Sequence, residues 1–230
     1  MAGALGKPYS AARRERPLQR VRYARDVVDL SVATPFQTPA ALLPMRVRPA
    51  VALDDDALFA LCRANPDLRI ERDHDGELIV MSPTGGETGR RNFRLTTKLG
   101  VWTERDGTGV GFDSSTGFVL PNGAERAPDA AWVKRARWDA LTDAQRRKFV
   151  PLVPDFVVEL RSASDDLETL HTKMAEYVAQ GARLGWLLDP VSKTVWIYRP
   201  GAEAHACLDP ETVSGEGVLP GFELRLAEVW

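Results

Sequence analysis

Two acidic residues stand where the surrounding sequence otherwise predicts buried strands. Asp129 follows Pro128 and precedes an apolar run, and Glu159 lies inside the apolar run of residues 156–160. Side chains alternate between the two faces of a strand, so Glu159 shares a polar face with Asp155 while the opposite face is apolar. Carboxylates in such surroundings need a cation nearby, either a metal ion or a basic side chain.

Strand geometry decides which of these acids can bind one ion together. Asp155 and Glu159 lie four residues apart on one strand, about 13 Å at roughly 3.3 Å per residue, which is too far. Two carboxylates that share Mg²⁺ bring their oxygens within about 4 Å, because each ligand lies at about 2.0–2.1 Å. Asp129 meets this condition if its strand pairs with that of Glu159, since paired strands are about 4.8 Å apart. The spacing therefore permits a Mg²⁺ or Mn²⁺ site formed by Asp129 and Glu159.

The same spacing also fits structural ion pairs. Asp129 and Glu159 are equally compatible with a solvated sheet face on which they pair with basic side chains, the candidates being Arg126, Lys134 and Arg161. Ion pairs of this kind are common in proteins that have no metal site. The spacing alone leaves both alternatives open.

Composition is that of an ordinary globular protein. The chain has 230 residues, 44% of them hydrophobic, enough for one domain with a full core. Its net charge of −2 does not by itself indicate a nucleic-acid partner. No apolar stretch approaches the roughly 18 residues that span a bilayer, so we expect no membrane association and a cytoplasmic location. Cys62 and Cys207 are too few for a disulfide framework or a zinc cage.

The first 45 residues differ from the remainder. Residues 1–25 contain seven basic residues and one acid, and the segment has prolines but no sustained hydrophobic period. These features predict a flexible, basic and disordered leader over residues 1–45, followed by a single domain over residues 46–230. The leader is expected to be a solvated tail or a segment that precedes the true start at Met45, the alternative being an arm that contacts phosphates or a partner chain.

Hydrophobic periodicity predicts the elements that must position the acids. Asp54 is a typical cap for a helix ending near Asn65, and residues 68–81 predict a hairpin with its turn at Asp75-Gly76. Further helices are predicted over residues 86–105, 138–148 and 165–180. Residues 109–123, 127–133 and 154–160 predict three strands, and 183–199 predict two more. The core order is helix, three strands, helix, strand, and the first helix and hairpin form an N-terminal addition.

Several stretches together resemble a known family. They are "GELIVMSPTGGETGRRN", "FDSSTGFVLPNGAERAPDAAWV", "PDFVVELRSASDDLETLHTKMAEYVAQGARLGWLLDP" and "LPGF". In this order they are similar to the Uma-two family of restriction endonucleases, a branch of the PD-(D/E)XK nuclease superfamily. The resemblance runs from about residue 51 to residue 222. It implies an α/β, restriction-endonuclease-like fold and a Mg²⁺-dependent endonuclease that hydrolyses phosphodiester bonds of DNA.

The resemblance also implies roles for individual residues. Asp129 matches the aspartate of the Pro-Asp motif, Glu159 the acid of the central strand, and Glu87 the accessory acid of the first core helix, all three as ligands of Mg²⁺ or Mn²⁺. The superfamily lysine would stand at position 161, where this chain has Arg161. Lys173 on the following helix matches the displaced lysine and would assist the attacking water or the transition state. Arg161 would hold a substrate phosphate.

Each role has a structural alternative. Glu87 fits a capping box with Thr84, Lys173 fits a solvated helix position, and Arg161 fits a structural counter-ion. For the whole protein the alternative is a catalytically inactive nuclease fold that binds nucleic acid or protein. The resemblance further implies a homodimer, for which the sequence offers no direct signal.

Overall fold

The computed structural model describes residues 44–81 and 83–230. The predicted basic leader over residues 1–45 lies outside these residues except at its last two positions. Met45 begins the first described strand. Among the described residues, no helix combines the length and the apolar character needed to cross a membrane.

The described part of the chain contains five α-helices and thirteen strands. The helices are α1 (Asp55–Ala64), α2 (Gly86–Asp106), α3 (Arg135–Asp139), α4 (Asp143–Arg146) and α5 (Leu167–Gln180). The strands are β1 (Met45–Val47), β2 (Arg69–Arg72), β3 (Leu78–Met81), β4 (Gly109–Asp113), β5 (Phe118–Val119), β6 (Glu125–Arg126), β7 (Ala130–Lys134), β8 (Phe156–Leu160), β9 (Leu184–Asp189), β10 (Thr194–Tyr198), β11 (His205–Leu208), β12 (Thr212–Ser214) and β13 (Glu223–Arg225).

The strands form three sheets. A six-stranded sheet has the order β11-β10-β9-β8-β7-β4, a five-stranded sheet has the order β1-β3-β2-β6-β5, and β12 pairs with β13. In the six-stranded sheet only β8 and β9 are parallel, because α5 connects them as a crossover. The five-stranded sheet contains the predicted hairpin, β2 and β3.

Alternation along β8 gives the six-stranded sheet a helix layer on each face. Phe156, Val158 and Leu160 belong to one core cluster together with Leu95 and Leu99 of α2. The residue between them, Val157, belongs to a second cluster, which contains Leu170, Met174 and Tyr177 of α5. This confirms the alternation predicted for the strand. Glu159 therefore lies on the face that α5 covers.

Local chemistry explains where the main helices begin and end. Asp54 caps α1 by accepting a hydrogen bond from the N–H of Ala57 at 2.8 Å. Asp166 caps α5 in the same way through the N–H of Thr169, also at 2.8 Å. Helix α2 ends at Asp106 and is capped by Gly107, whose φ of 69° is the left-handed conformation that glycine adopts without a steric penalty.

Two predicted elements differ from the structure. The strand predicted over residues 109–123 is divided, because Asp113 accepts a hydrogen bond from the N–H of Ser115 at 3.0 Å and turns the chain. As a result β4 pairs with β7 in the six-stranded sheet, and β5 pairs with β6 in the five-stranded one. The helix predicted over residues 138–148 is two short helices, since Thr142 forms a capping box with Gln145 and starts α4 afresh.

Candidate active site

Asp129 lies immediately before β7, next to the end of β8. The register pairs Ala130 with Val158, so the preceding residue comes to lie beside Glu159. Asp129 Oδ2 accepts a hydrogen bond from the backbone N–H of Leu160 at 2.8 Å. Antiparallel pairing thus brings the two acids together, and the Asp129 side chain is only 8% exposed.

Glu159 and Lys173 form a buried ion pair on the α5 face of the sheet. Lys173 Nζ lies 2.8 Å from Glu159 Oε1, and the Tyr177 hydroxyl donates to the same oxygen at 3.0 Å. Lys173 and Tyr177 stand one helical turn apart on α5, so both reach the same carboxylate. Burial raises the pKa of Glu159 to about 7 in spite of Lys173, and the nearby charge of Asp129 acts in the same direction.

A third carboxylate, which the sequence reasoning missed, comes from the hairpin. Glu71 on β2 accepts from Lys173 Nζ at 2.9 Å and from the N–H of Ala127 at 3.1 Å. Burial would raise the pKa of Glu71, but the ammonium of Lys173 and the guanidinium groups of Arg69 and Arg126 lower it to about 2. Glu71 is therefore ionised at neutral pH.

Lys173 keeps its charge in this environment. Burial alone would lower its pKa, yet the carboxylates of Glu159 and Glu71 outweigh that effect and raise it. The two acids share this ammonium, but Glu159 has fewer cationic neighbours than Glu71. As pH falls, Glu159 is therefore the carboxylate that takes up a proton first. The site thus holds a permanent positive charge against a carboxylate that titrates near neutral pH.

Arg69 is a second cation that the sequence reasoning missed. Its Nη1 lies 3.4 Å from Asp129 Oδ1, and its Nη2 lies 3.8 Å from Glu71 Oε1 and donates to the carbonyl of Ala127. Its Nε is buried and has no partner among the described residues. Strand β2 thus contributes one cation and one anion, two residues apart, to the same site.

Glu87 is not assembled with the other two predicted ligands. It lies in the first turn of α2, where its side chain is 57% exposed and pairs with Arg90 at 2.5 Å and Arg91 at 3.3 Å. Within residues 44–81 and 83–230, no group of three or more His, Cys, Asp or Glu side chains is arranged to hold a metal ion. The structure therefore does not bring Glu87 together with Asp129 and Glu159, and its role as a metal ligand stays a prediction. Solvated arginines neutralise Glu87 on the helix surface.

Asn92 is the α2 side chain that reaches the site. Its Nδ2 donates to Asp129 Oδ1 at 3.1 Å. Its Oδ1 is buried and has no hydrogen-bond partner in the described part of the chain. An uncompensated buried oxygen is costly, so this atom needs a donor or a cation.

Arg161, predicted to hold a substrate phosphate, is engaged elsewhere. Its Nη1 lies 2.8 Å from Asp189 Oδ2 at the end of β9, and Asp189 is fully buried. This contact favours the structural alternative, the counter-ion. The phosphate role stays a prediction.

The missed residues gave no local signal. Arg69 and Glu71 alternate with apolar residues in a hairpin, a pattern typical of a solvated strand face. In the structure, however, both faces of β2 are covered, and Glu71 is 2% exposed. Asn92 lies in a polar part of α2 and has no partner nearby in sequence. Only the packing of the hairpin and of α2 around the Asp129 segment reveals these three residues.

The fold is restriction-endonuclease-like, and it matches that of a solved structure. It is described as "Crystal structure of a putative nuclease belonging to DUF820 from Anabaena variabilis ATCC 29413". The match has a TM-score of 0.60 and 16% sequence identity, and it covers 70% of this chain and 88% of that one. At this identity the likeness shows the fold alone.

The family follows from the sequence comparison. The model of the Uma2 family, described as "Putative restriction endonuclease", matches residues 55–227. The chain therefore belongs to the Uma2 family, and the resemblance stated above is confirmed. The family description indicates a nuclease. No curated protein matches this chain.

Proposed function

We propose that this protein is an endonuclease that hydrolyses DNA phosphodiester bonds with the help of Mg²⁺ or Mn²⁺. One observation carries the proposal: the Lys173 ammonium lies 2.8 Å from the buried Glu159 carboxylate, and the backbone of Leu160 holds Asp129 beside it. Two adjacent acids can hold a metal ion for phosphoryl transfer, and a lysine adds positive charge where the transition state becomes negative. The family description supports the nucleic-acid substrate.

The donor set fits a hard divalent cation. The carboxylates of Asp129 and Glu159 supply oxygen ligands, the type that Mg²⁺ and Mn²⁺ prefer. The buried Oδ1 of Asn92, which lacks a hydrogen-bond partner among the described residues, is a third oxygen beside Asp129. Asp129 and Glu159 would hold the ion. When bound, it would supply positive charge to the phosphoryl oxygens and acidify a water molecule.

The protein's own groups perform the remaining tasks. Lys173 places a permanent positive charge where negative charge develops in the transition state. Tyr177 fixes the orientation of Glu159 through its 3.0 Å hydrogen bond. Arg69, whose side chain is 28% exposed, is the cation at this site that an incoming phosphate reaches from solvent. Burial of the acids keeps competing water away from the reacting atoms.

Plasmid cleavage tests the proposal. Supercoiled plasmid is incubated with the protein and Mg²⁺, with and without EDTA, and nicking is followed on a gel. We expect the wild type to cleave the plasmid with Mg²⁺ and not to cleave it with EDTA. In D129N, E159Q and K173M the cleavage rate should be lower by about 10²-fold or more.

Matched variants control for nonspecific effects. Glu216 pairs with Arg199, and Lys98 pairs with Glu228 at 2.6 Å, both in ion pairs away from the site. E216Q and K98M make the same chemical changes and should cleave like the wild type. Cleavage that persists in D129N, E159Q and K173M would show that the activity comes from a contaminant or from another site.

A specific observation also favours the second candidate, a catalytically inactive module. Arg69 and Lys173 already neutralise part of the charge of Asp129 and Glu159 without an ion. Calorimetric titration with Mn²⁺ separates the two candidates. An active site binds the ion and loses binding in D129N, whereas a vestigial one shows no binding. The homodimer and the cytoplasmic location remain predictions.

A further inference from the structure

Lys173 is held between carboxylates that belong to two different sheets. Its Nζ lies 2.8 Å from Glu159 Oε1 in the six-stranded sheet and 2.9 Å from Glu71 Oε1 in the five-stranded sheet. The lysine side chain is only 11% exposed. Because a lysine ammonium is a compact charge on a flexible stem, its position depends on the acceptors around it.

Glu71 is itself fixed on several sides. Its Oε1 accepts from the N–H of Ala127 at 3.1 Å, and its Oε2 lies 3.5 Å from Arg126 Nη1. Arg126 in turn donates to Glu176 of α5 at 2.7 Å. Since Ala127 stands two residues before Asp129, Glu71 is anchored to the segment that carries the predicted metal ligand. Movement of Lys173 relative to that segment is therefore restricted.

Glu159 alone is a poor anchor for this ammonium. A buried ion pair needs further hydrogen bonds to offset the cost of desolvating both charges. Glu159 is also the acid that would contribute ligand oxygens to a divalent ion. A carboxylate that binds an ion is a weaker hydrogen-bond acceptor for the Lys173 ammonium. Glu71 is a dedicated anion that does not have this second task.

We propose that Glu71 is a positioning residue that holds the Lys173 ammonium against Glu159, and that the hairpin is thereby an obligatory part of the active site. The inference rests on the proposed function and deepens it. Glu71 acts through Lys173 and does not itself contact the substrate or the ion.

The first test separates positioning from binding. E71Q keeps the side-chain size and an acceptor for Ala127 but removes the charge that holds Lys173. We expect kcat for plasmid cleavage to fall about 10- to 100-fold, the usual effect of losing a supporting partner, while KM and Mn²⁺ binding stay close to the wild type. In a K173M background, E71Q should cause no further loss, because the two residues act as one unit. A full additional loss in the double variant overturns the proposal.

The control comes from the same hairpin. Glu77 lies at the turn of the hairpin and pairs with Arg46 at 3.0 Å, not with Lys173. E77Q therefore makes the same chemical change without touching Lys173, and it should leave kcat unchanged. An equal loss in E77Q would mean that the hairpin matters only for folding.

A second measurement does not depend on cleavage. The rate of acylation of Lys173 by acetic anhydride is followed by mass spectrometry, with the exposed Lys98 as the internal reference. Lys173 should react several-fold faster in E71Q than in the wild type or E77Q. E71D, which retracts the carboxylate but keeps its charge, is the second variant if E71Q does not fold, and it should change the rate in the same direction. If E71Q leaves the acylation rate of Lys173 unchanged, the positioning role is overturned. If the wild type does not cleave the plasmid but its Lys173 is still protected from acylation relative to E71Q, only the proposed nuclease activity is overturned.

Discussion

Asp129 accepts a hydrogen bond from the backbone N–H of Leu160, at 2.8 Å and out of contact with solvent. The acid of the Pro-Asp motif is therefore also a structural partner of the strand that carries Glu159. Because β7 and β8 are antiparallel, each strand delivers its acid to the same end of the sheet. The pairing of the two strands and the hydrogen bond from the Leu160 N–H therefore bring the two acids together without any ion.

Substitutions at Asp129 should separate these two roles. D129A leaves the Leu160 N–H buried without an acceptor, which typically costs about 1–3 kcal/mol. D129N keeps an oxygen in place and should destabilise less, although it removes the negative charge needed for Mn²⁺. Urea unfolding and Mn²⁺ calorimetry on both variants measure the two effects. Equal stability of D129A and D129N would contradict the structural role.

Mn²⁺ binding should depend on pH through Glu159. Burial raises the pKa of Glu159 to about 7, so below pH 7 an incoming ion must displace a proton. Affinity should therefore be lower at pH 6 than at pH 8, by up to about tenfold for each pH unit below the pKa. Calorimetry in two buffers with different ionisation enthalpies should detect proton release at pH 6. Equal affinity at both pH values would argue against Glu159 as a ligand.

Glu125 on β6 should make stability fall as pH rises. It is 1% exposed, and burial together with the charge of Glu71 raises its pKa from 4.5 to about 8. A raised pKa favours the folded state while the group is protonated. This contribution is complete below pH 4.5 and is lost as pH rises through about 8. The slope is at most about 1.4 kcal/mol per pH unit.

Urea unfolding between pH 6 and pH 8 measures this dependence. E125Q mimics the neutral acid, so its free energy of unfolding should fall less steeply with rising pH than that of the wild type. The slope that remains in E125Q is the contribution of Glu159. E77Q, on the exposed end of the hairpin, should keep the full slope. A slope in E125Q as steep as in the wild type would show that Glu125 is already ionised.

Arg161 and Asp189 should behave as a structural pair. Because Arg161 Nη1 lies 2.8 Å from the buried Asp189, either R161M or D189N leaves a charge without its partner and should lower the free energy of unfolding. Neither should change the salt dependence of DNA binding, whose slope falls by about one for each lost phosphate contact. A reduced slope in R161M alone would restore the phosphate role predicted from the sequence.

Helix α2 offers a direct comparison between Glu87 and Asn92. Glu87 is exposed and pairs with Arg90, so E87Q should leave Mn²⁺ affinity unchanged. Asn92 donates to Asp129 at 3.1 Å, and N92A should weaken Mn²⁺ binding about 10- to 100-fold, as is usual when a supporting partner of a metal ligand is lost. The reverse order would return Glu87 to the metal site.

Much of the fold was predictable because its signals are local. The Asp54 side chain accepts a hydrogen bond at the start of α1. Gly107, which has no side chain, adopts the left-handed conformation that ends α2. Alternation along β8 correctly separated its two faces. The divided strand after Asp113 was mispredicted, because the residues on either side of the turn join different sheets. No local pattern encodes that choice.

Within the candidate site, the sequence by itself predicted that Asp129 and Glu159 lie side by side, because strand spacing excluded Asp155 as the partner of Glu159. It left open whether a metal ion or basic side chains neutralise the two acids. The family motifs added Lys173. Only the tertiary structure decided that Glu71 and Arg69 of the hairpin contact Lys173 and Asp129. It also decided that Asn92 is the α2 side chain that contacts Asp129, and that Arg161 pairs with Asp189. The reason is physical: ionic contacts between sheets depend on how their faces pack, and residues up to 102 positions apart share no local constraint.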